Sequence, residues 1–411
     1  MTNFVEELRW RGMLHDIMPN TEEKLNEGVC AGYIGFDPTA DSLHVGHLTQ
    51  IMTLIHFQRA GHQPVALVGG ATGMVGDPSG KSTERNLLTT DVLNHNLQQI
   101  EKQLSRFLDF SSATNAAKMV NNADWFKNIS FLDFIRDVGK HITVNYMMAK
   151  DSVKKRLEGE TGMSFTEFSY QLVQGYDFYY LWKHHNCTVQ MGGSDQWGNI
   201  VTGTELIRRK DSGTAYAITT QLIKKADGTK FGKTETGAIW LDAEKTSPFK
   251  FYQFWLNASD SDVKAWIRIF TLKTQSEIEN LELQHDEAPH LRILQKALAE
   301  DITLRTHSEI ALETAIKTSD FLFGNGSLAF LENLDEKSVL EIFDLASLLA
   351  EKTSVFPSKG EVKKTIQGGG LSVNREKVTD ILSVLNTANL INNKFIVVQK
   401  GKKNYFLLIA Q

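Results

Sequence analysis

Two histidines frame a glycine at His44, Gly46 and His47, directly before LTQIMTLIHFQ, whose apolar residues repeat with helical spacing. They therefore occupy the entry and first turn of a helix, where backbone N–H groups and the helix dipole favour an anion. Imidazoles donate hydrogen bonds to phosphate oxygens, and a glycine lets a flat base approach the backbone. The pattern predicts a nucleotide site; two ordinary surface histidines are the alternative.

A pair of lysines lies near residue 230, in the stretch KKADGTKFGKT. Lys230 and Lys233 are three residues apart beside Gly228 and Gly232, so a flexible loop could carry two ammonium groups onto a triphosphate. Their charges would be worth most as negative charge grows on a departing pyrophosphate. A solvated hairpin turn is the alternative.

A polar stripe interrupts the aromatic helix that the sequence predicts from Phe165 to about His184. Tyr170, Gln174 and Asp177 fall at positions i, i+4 and i+7, which share one face of a helix. If this face is buried, its polar groups need partners. A strip that faces solvent is the alternative.

The elements that must position these residues alternate between apolar runs and helical stretches from residue 29 to about 220. The runs VCAGYIGF, PVALVGG, AKMVNN and CTVQMGG are typical of strands, so the sequence predicts a parallel, doubly wound sheet of the α/β class. Ligands bind at the carboxyl ends of such strands. The loops GFDPT, GGATGMVGDPSG and GGSDQWGN follow three of these runs and could line one crevice.

Three domains are predicted. Residues 1–246 form the α/β domain, and residues 247–344 read as mostly helical from Ser247-Pro248 onward. After the interruption EKTSVFPSKG, residues 345–411 show helix and strand signals again and form a small α+β module.

Composition excludes several classes of protein. The chain has 411 residues, of which 41% are hydrophobic and 23% charged, and no apolar run approaches the roughly 18 residues of a membrane span. Its first residues lack the pattern of a signal peptide, and its only cysteines, Cys30 and Cys187, suit a reducing compartment. We therefore expect a cytoplasmic protein.

The charge distribution is uneven along the chain. Residues 345–411 carry ten Lys/Arg and four Asp/Glu, on a protein whose net charge is −5. Such a basic tail indicates a nucleic-acid contact, with a solvated surface as the alternative.

Together, HVGH and KFGKT resemble the paired signatures of class I aminoacyl-tRNA synthetases. GFDPTADSLHVGHL, GGATGMVGDPSGK, FSYQLVQGYDF, GGSDQWGN and KFGKT, in this order, resemble the bacterial tyrosyl branch of that family. The tail SKGEVKKTIQGGGLSVNREKV is similar to the S4-type RNA-binding module of many members. The resemblance implies a Rossmann-like catalytic domain with a connective insertion at about 115–180, an α-helical anticodon-binding domain and an S4-like domain.

The resemblance also implies roles for residues in a tyrosine pocket. Asp177 would accept the proton of the substrate phenol, and Tyr33 would meet the same oxygen. Tyr170, Gln174 and Asp77 would hold the α-ammonium group. At the same end of the amino acid, Gln196 would contact the carboxylate.

A second set of roles concerns ATP and tRNA. The residues implied for the phosphates in catalysis are His44, His47, Thr39, Lys230 and Lys233. Those implied for the rest of ATP are Asp37, Gly46, Lys81, Arg85, Gly193, Asp195 and Thr234. For RNA, the candidates around the Gly368–Gly370 turn are Lys363, Lys364, Arg375 and Lys377.

The expected ligands follow from these roles. They are L-tyrosine, ATP as a substrate with Mg²⁺ travelling on it, and tRNA(Tyr). No dedicated carboxylate cage for a metal is visible in the sequence. Members of the family are homodimers, with the interface near residues 115–180. One departure is Ile34, where members often have a cysteine that reaches the ribose.

Two other functions compete with this interpretation. A small-molecule nucleotidylyltransferase also uses an H-x-G-H helix entry, but it would not explain the KFGKT loop and the basic tail. A catalytically silent RNA-binding protein would keep the tail and lose active-site residues, whereas the signatures here are intact.

Overall fold

The computed structural model describes residues 3–79, 88–158, 162–229, 231–234, 237–323, 343–353, 355–385, 389–391, 394–402 and 404–409. The chain forms two compact units, residues 1–312 and residues 313–411. Among the described residues, no helix combines the length and apolar character needed to cross a membrane.

The first unit is built on a six-stranded sheet with the strand order β1-β6-β5-β2-β3-β4. The strands are β1 (Leu14–Ile17), β2 (Ala31–Phe36), β3 (Gln63–Val68), β4 (Lys118–Asn121), β5 (Cys187–Gly193) and β6 (Tyr216–Thr220). All neighbours pair in parallel except the edge strand β1, which is antiparallel to β6. The predicted α/β class with a parallel sheet is confirmed.

Helices of the first unit cover the sheet and continue beyond it. Those up to the sixth strand are α1 (Phe4–Trp10), α2 (Thr21–Asn26), α3 (Leu48–Arg59), α4 (Thr72–Val75), α5 (Thr90–Leu104), α6 (Ala123–Phe126), α7 (Phe131–Asp137), α8 (Val144–Met148), α9 (Asp151–Leu157), α10 (Phe165–His185) and α11 (Trp197–Asp211). A short hairpin, β7 (Lys233–Thr234) and β8 (Gly237–Ala238), follows. The later helices are α12 (Pro248–Leu256), α13 (Asp260–Phe270), α14 (Gln275–Glu287) and α15 (Ile293–Thr306).

Successive residues of β2 show that helices cover both faces of the sheet. A Cβ on Gly32 would lie 2.8 Å from Cζ of Phe57 in α3, whereas the ring of Tyr33 lies 5.5 Å from that of Phe178 in α10. Because side chains alternate between faces along a strand, α3 and α10 lie on opposite faces. Tyr33 therefore points toward α10, and the buried Ile34 points toward α3.

Helix α10 owes its length to its ends and its place to two glycines. The Ser164 side chain caps its first turn by accepting from the Glu167 N–H, and Asn186 ends it in the left-handed conformation at φ 52°. A Cβ on Gly175 would lie 3.3 Å from Thr202 of α11, and one on Gly203 would lie 2.8 Å from Phe178. The glycines thus let α10 and α11 approach closely.

The carboxyl end of α13 is held by arginines from three other helices or their ends. The buried Arg11 guanidinium donates to the carbonyl oxygens of Thr271 at 3.0 Å and Lys273 at 2.8 Å. Arg59 donates to Leu272 O at 3.0 Å, and Arg305 donates to Phe270 O at 3.1 Å. These cations pair with the negative end of the helix dipole. Helix α13 is therefore fastened to α3, which packs on the sheet.

The second unit is a small α+β structure whose boundary with the first falls within α16 (Glu309–Phe323). Its other helices are α17 (Leu345–Ser347) and α18 (Lys359–Gln367), with a π-helical turn at Leu348–Lys352 between them. Its strands are β9 (Phe343–Asp344), β10 (Leu371–Val373), β11 (Glu376–Lys377), β12 (Val384–Leu385), β13 (Phe395–Lys400) and β14 (Asn404–Ile409). The antiparallel sheet β11-β10-β13-β14 packs apolar side chains against α18.

Candidate active site

Asp177 is a buried carboxylate and the last residue of the predicted polar stripe of α10. It is 1% exposed and accepts hydrogen bonds from Asn122 Nδ2 at 3.1 Å and Trp125 Nε1 at 2.9 Å. Burial raises its pKa to about 8, although both donors favour the charged form. The interpretation of the stripe as a solvent-facing strip is wrong for this residue.

The Tyr33 hydroxyl shares this buried space. Tyr33 is 1% exposed, and its hydroxyl has no hydrogen-bond partner within the described part of the chain. Burial raises the pKa of Tyr33 well above its ordinary value, and the charge of nearby Asp177 adds to this. A buried hydroxyl without a partner is costly, so this arrangement suits a polar ligand that supplies the missing hydrogen bond.

A continuous hydrogen-bond network connects Asp177 to Tyr170 and Asp37. The Tyr170 hydroxyl donates to Asp37 Oδ2 at 2.8 Å, and Thr72 Oγ1 donates to Asp37 Oδ1 at 2.6 Å. Asn122 Nδ2 donates to Thr72 Oγ1 at 3.1 Å as well as to Asp177. Tyr170 and Asp37, which the resemblance assigned to tyrosine and to ATP respectively, are thus in direct contact.

Gln174 lies half-buried on α10 between Tyr170 and Asp177. Its neighbours in the stripe are both buried, because α10 packs against the sheet and α4. The structure therefore places the three predicted residues of the stripe on one helix, with the first and the last of them buried.

Asp77 and Gln196 belong to a second polar cluster. Gln196 Nε2 donates to Asp77 Oδ2 at 2.7 Å, and the Ser79 backbone N–H donates to Asp77 Oδ1 at 2.9 Å. Asn199 Nδ2 lies 3.2 Å from Gln196 Oε1 and 3.4 Å from Asp77 Oδ1. The resemblance assigned Asp77 to the α-ammonium group and Gln196 to the carboxylate, which are attached to the same carbon of the amino acid, and in this structure the two side chains pair directly.

The HVGH motif forms a 3-10 turn, Val45–His47, at the start of α3. The Gly46 N–H donates to Nδ1 of His44 at 3.0 Å, and the His44 N–H donates to Nδ1 of His47 at 3.1 Å. Because each Nδ1 accepts, the proton of a neutral ring resides on Nε2. A Cβ on Gly46 would lie 2.7 Å from Cε1 of His44, so glycine is required for the close approach of the His44 ring. The turn thus presents two imidazole N–H donors.

Other predicted ATP residues lie at the ends of β2 and β5. Thr39 is exposed in the loop that follows β2, where it lines a groove together with Asp41 and His95. Gly193 ends β5, and a Cβ there would lie 2.5 Å from Oδ1 of Asp195, so the Asp195 carboxylate covers the glycine. These loops meet at one edge of the sheet because they follow parallel strands.

The two signature motifs adjoin through their backbones. A Cβ on Gly232 would lie 2.7 Å from Cγ2 of Val45, and the Ile239 N–H donates to Gly232 O at 3.1 Å. The Val45 N–H in turn donates to Ile239 O at 2.9 Å, and the ring of Trp240 lies 5.8 Å from that of His44. For Lys233 and Thr234 only the backbone is described, and Lys81, Arg85 and Lys230 lie outside the described residues.

The predicted RNA-binding residues all lie in the second unit and are exposed. Lys363 and Lys364 are on α18, and Arg375 and Lys377 belong to the β10–β11 turn region. A Cβ on Gly369, whose φ is +65°, would lie 2.7 Å from Nζ of Lys377. The Gly368–Gly370 turn is therefore a place where a lysine ammonium group lies against bare backbone.

Sequence reasoning missed three residues of the network: Asn122, Trp125 and Thr72. Asn122 directly follows β4, and polar residues after a parallel strand mark the ligand-binding edge of such a sheet. That signal could have found Asn122. No local signal marks Trp125, because its role depends on the fold that brings α6 against α10.

Comparison with known proteins identifies the family of the chain. Residues 25–324 match the family model described as class I tRNA synthetases (W and Y), and residues 335–408 match the tyrosine–tRNA ligase SYY-like C-terminal domain. The tyrosine–tRNA ligase of Porphyromonas gingivalis is 58% identical over 100% of both chains. That of Cytophaga hutchinsonii is 59% identical over 99% of both chains.

Solved structures give the same fold. A C-terminally truncated mitochondrial tyrosyl-tRNA synthetase of Aspergillus nidulans has a TM-score of 0.72 and 30% identity, over 79% of this chain and 95% of that chain. The tyrosyl-tRNA synthetase of Archaeoglobus fulgidus, crystallised with L-tyrosine, has a TM-score of 0.55 and 16% identity over 77% of this chain and 100% of that chain, a likeness of fold. The chain therefore belongs to the tyrosyl-tRNA synthetases of the class I aminoacyl-tRNA synthetase family.

Proposed function

We propose that this chain activates L-tyrosine with MgATP, giving tyrosyl-adenylate and pyrophosphate, and then transfers the tyrosyl group to tRNA(Tyr). One observation, more than any other, supports tyrosine as the amino acid. The Asp177 carboxylate and the Tyr33 hydroxyl, which has no hydrogen-bond partner among the described residues, are both buried, and the charge of Asp177 acts on the Tyr33 hydroxyl. A substrate phenol donates to the first and accepts from the second, so one oxygen atom satisfies both groups.

The same pair explains why phenylalanine is rejected. In place of tyrosine it would leave Asp177 and Tyr33 desolvated and without a ligand partner. Leaving buried polar groups unpaired costs about 1–3 kcal/mol each, and more for a charged group. Shape alone separates the two amino acids poorly, since they differ by a single hydroxyl.

The remaining tyrosine contacts are those that the family resemblance implies. Tyr170, Gln174 and Asp77 hold the α-ammonium group, and Gln196 meets the carboxylate. Asp37 already accepts a hydrogen bond from Tyr170 at 2.8 Å, so it stabilises the position of that hydroxyl. Asp37 also accepts from Thr72 Oγ1 at 2.6 Å, and its proposed role is on the ATP side of the site.

Activation itself needs little proton chemistry. The tyrosine carboxylate is ionised at neutral pH, and one of its oxygens attacks the α-phosphorus of ATP as the bond to pyrophosphate breaks. Catalysis then depends on in-line positioning and on stabilising charge. His44 and His47 donate from Nε2 to phosphate oxygens together with Thr39, and Lys230 and Lys233 neutralise the departing pyrophosphate.

The nucleotide is held by residues of three loops. Mg²⁺ enters with ATP as part of the substrate. The residues proposed for ATP are Asp37, Gly46, Lys81, Arg85, Gly193, Asp195 and Thr234. Gly46 and Gly193 leave room for the His44 ring and the Asp195 carboxylate, and Asp195 accepts from the ribose hydroxyls. Ile34 cannot hydrogen-bond the ribose, so it contributes packing only.

The cytoplasm is the compartment that we propose for this enzyme. Its two cysteines, Cys30 and Cys187, are buried free thiols, which suits a reducing compartment. Exclusive recovery of the native protein from the periplasm or the medium would contradict this assignment.

Tyrosine-dependent ATP–pyrophosphate exchange tests the adenylation step. We expect exchange with tyrosine and not with phenylalanine or tryptophan. In the Asp177→Ala variant, kcat/KM for tyrosine should fall by roughly 30- to 1,000-fold, equivalent to about 2–4 kcal/mol, because a charged hydrogen bond to the phenol is lost. Tyr33→Phe should cost less and narrow the preference for tyrosine over phenylalanine.

Tyr179→Phe is the matched control for that experiment. It removes a hydroxyl from the same helix, but this hydroxyl donates to Asp211 at 3.0 Å outside the pocket, so exchange should be unchanged. No exchange with any amino acid, from folded protein with magnesium present, would refute adenylation and favour the RNA-binding alternative. Nucleotide transfer without an amino acid would favour the nucleotidylyltransferase.

Tyrosine binding should release a proton below about pH 8. The free enzyme holds Asp177 protonated there, since burial raises its pKa to about 8. The bound phenol adds a third donor to those of Asn122 and Trp125, which favours the ionised carboxylate and lowers its pKa. Affinity for tyrosine should therefore rise as the pH is raised toward about 8.

Calorimetric titration in buffers of different ionisation enthalpy measures this release. Asp177→Asn keeps an acceptor oxygen but cannot titrate, so its weaker binding should be free of proton release. Tyrosine affinity that does not change with pH in the wild-type enzyme, with no proton released, would contradict the assignment of Asp177 to the phenol.

For tRNA, we propose that Lys363, Lys364, Arg375 and Lys377 contact the RNA backbone. Replacing Lys364 and Lys377 by alanine should raise KM for tRNA in the charging reaction and leave pyrophosphate exchange unchanged. The slope of log affinity against log salt should fall by about 0.7–0.9 for each lost phosphate contact. Lys359→Ala is the control, because that lysine already pairs with Glu351 at 3.0 Å. An unchanged salt slope in the double variant would refute the assignment.

We also propose a homodimer formed through residues 115–180. This segment exposes several large apolar side chains, namely Phe131, Leu132, Val144, Met148 and Phe165. Leu132, which is 76% exposed, should give a monomer when replaced by aspartate, because burying that charge in an interface is costly. Leu283→Asp, at a 68% exposed site on α14, should leave the mass unchanged. Sedimentation equilibrium measures both, and a monomeric wild-type protein would refute the proposal.

A further inference from the structure

Phe231 lies inside the KFGKT motif and packs into the helical segment that follows it. Its ring is parallel to that of Phe270, with centroids 5.3 Å apart and an interplanar angle of 7°. It also meets the ring of Trp266 edge-on at 5.0 Å and those of Phe254 and Trp255 at 5.9 Å. Phe231 is 7% exposed, so helices α12 and α13 enclose a side chain of the signature motif itself.

The turn before the motif is also attached to α13. Asp262, in the first turn of that helix, accepts from the Ala226 N–H through Oδ1 at 2.7 Å. Its Oδ2 accepts from Ser259 Oγ at 2.7 Å, which fixes the carboxylate. Ala226 and Phe231 therefore both contact α13.

Helix α13 is a firm support for this attachment. The arginines at positions 11, 59 and 305 donate to carbonyl oxygens of residues 270–273 at its carboxyl end. Burial lowers the pKa of Arg11 and of Arg305, and each guanidinium is further disfavoured by the positive charge of Arg59. A desolvated charge that loses its partners is strongly destabilising, so these hydrogen bonds keep the carboxyl end of α13 in place.

Gly232, the residue after Phe231, lies against the HVGH motif. Gly232 has a φ of +76°, and a Cβ there would lie 2.7 Å from Val45 and 3.4 Å from the Gly46 nitrogen. Strand β7, which begins with Lys233, follows directly and pairs with β8. A shift of Phe231 would therefore move the backbone that lies against HVGH and leads into Lys233.

We propose that Phe231 is a positioning residue for adenylate formation, with Asp262 as its partner. The ring docks the KFGKT segment on α12 and α13, and this contact sets the distance between the backbone of Lys233 and the HVGH turn. The inference rests on the proposed adenylation reaction. It concerns the phosphate end of that reaction and leaves the tyrosine pocket unaffected.

Single-turnover formation of tyrosyl-adenylate tests the proposal. Phe231→Ala should lower the rate constant at saturating ATP on the order of 10- to 100-fold, because small displacements of charged groups in a transition state have effects of this size. Its affinity for tyrosine, measured separately, should not change. Phe231→Met should restore most of the rate, since the flexible thioether fills the same space and contacts aromatic rings favourably.

Phe251→Ala is the matched control. Phe251 is buried in α12 and packs on Trp255 and His307, and its ring contacts do not include Phe231. It should lower the unfolding temperature without lowering the rate constant of the folded enzyme. Equal rate losses in the Phe231 and Phe251 variants, or a parallel loss of tyrosine affinity, would overturn the proposal and leave a purely structural role.

Asp262 provides a test that does not require a cavity in the aromatic cluster. Asp262→Ala removes the acceptor for the Ala226 N–H and should slow adenylate formation, whereas Asp262→Asn keeps a carbonyl oxygen and should be close to wild type. Identical rates in these two variants would overturn the proposal even if Phe231→Ala does not fold. A wild-type enzyme that forms no adenylate would overturn the proposed function and this inference with it. Slower adenylate formation in the variants alone would concern only the docking of the KFGKT segment by Phe231 and Asp262.

Discussion

The constraint on which the site depends is the burial of the Asp177 carboxyl group. A carboxylate taken out of water is expensive unless donors surround it, and here Asn122 and Trp125 supply two. Their hydrogen bonds reduce the cost without removing it, since the pKa is still raised to about 8. One more hydrogen-bond donor would stabilise the charged form of Asp177 further. The nearby Tyr33 hydroxyl has no hydrogen-bond partner among the described residues. At this position a substrate phenol could donate a hydrogen bond to Asp177 and accept one from Tyr33.

The rest of the architecture holds Asp177 and Tyr33 in position. Strand β2 places Tyr33 on the α10 face of the sheet, and the close approach of α10 and α11 at Gly175 and Gly203 keeps α10 against it. The hydrogen bonds from Asn122 through Thr72 to Asp37 then join this amino-acid pocket to the loops at the ends of the strands. The residues proposed for tyrosine and for ATP are thus connected through hydrogen bonds.

The nucleotide side is organised differently, through aromatic packing and backbone contact. Gly232 lies against the HVGH turn, and Phe231 is enclosed by α12 and α13. Helix α13 belongs to the segment that the sequence predicts to be a helical domain, and it lies in the same compact unit as the sheet. Because the arginines at its end fasten it to the sheet-covering helices, the KFGKT segment is supported by parts of the chain far from it in sequence.

Local sequence determined the elements and the chemical types at their ends. Apolar runs followed by glycine-rich loops predicted the parallel strands, and the spacing of Tyr170, Gln174 and Asp177 predicted one helix face, because strand and helix periods are local properties. Whether that face was buried could not be derived from spacing, since burial depends on what packs against it. Only the tertiary structure brought Trp125 to Asp177, Tyr170 to Asp37 and Phe231 to Phe270. Those contacts join residues 39 to 133 positions apart, and no periodicity in the sequence encodes a distance of that kind.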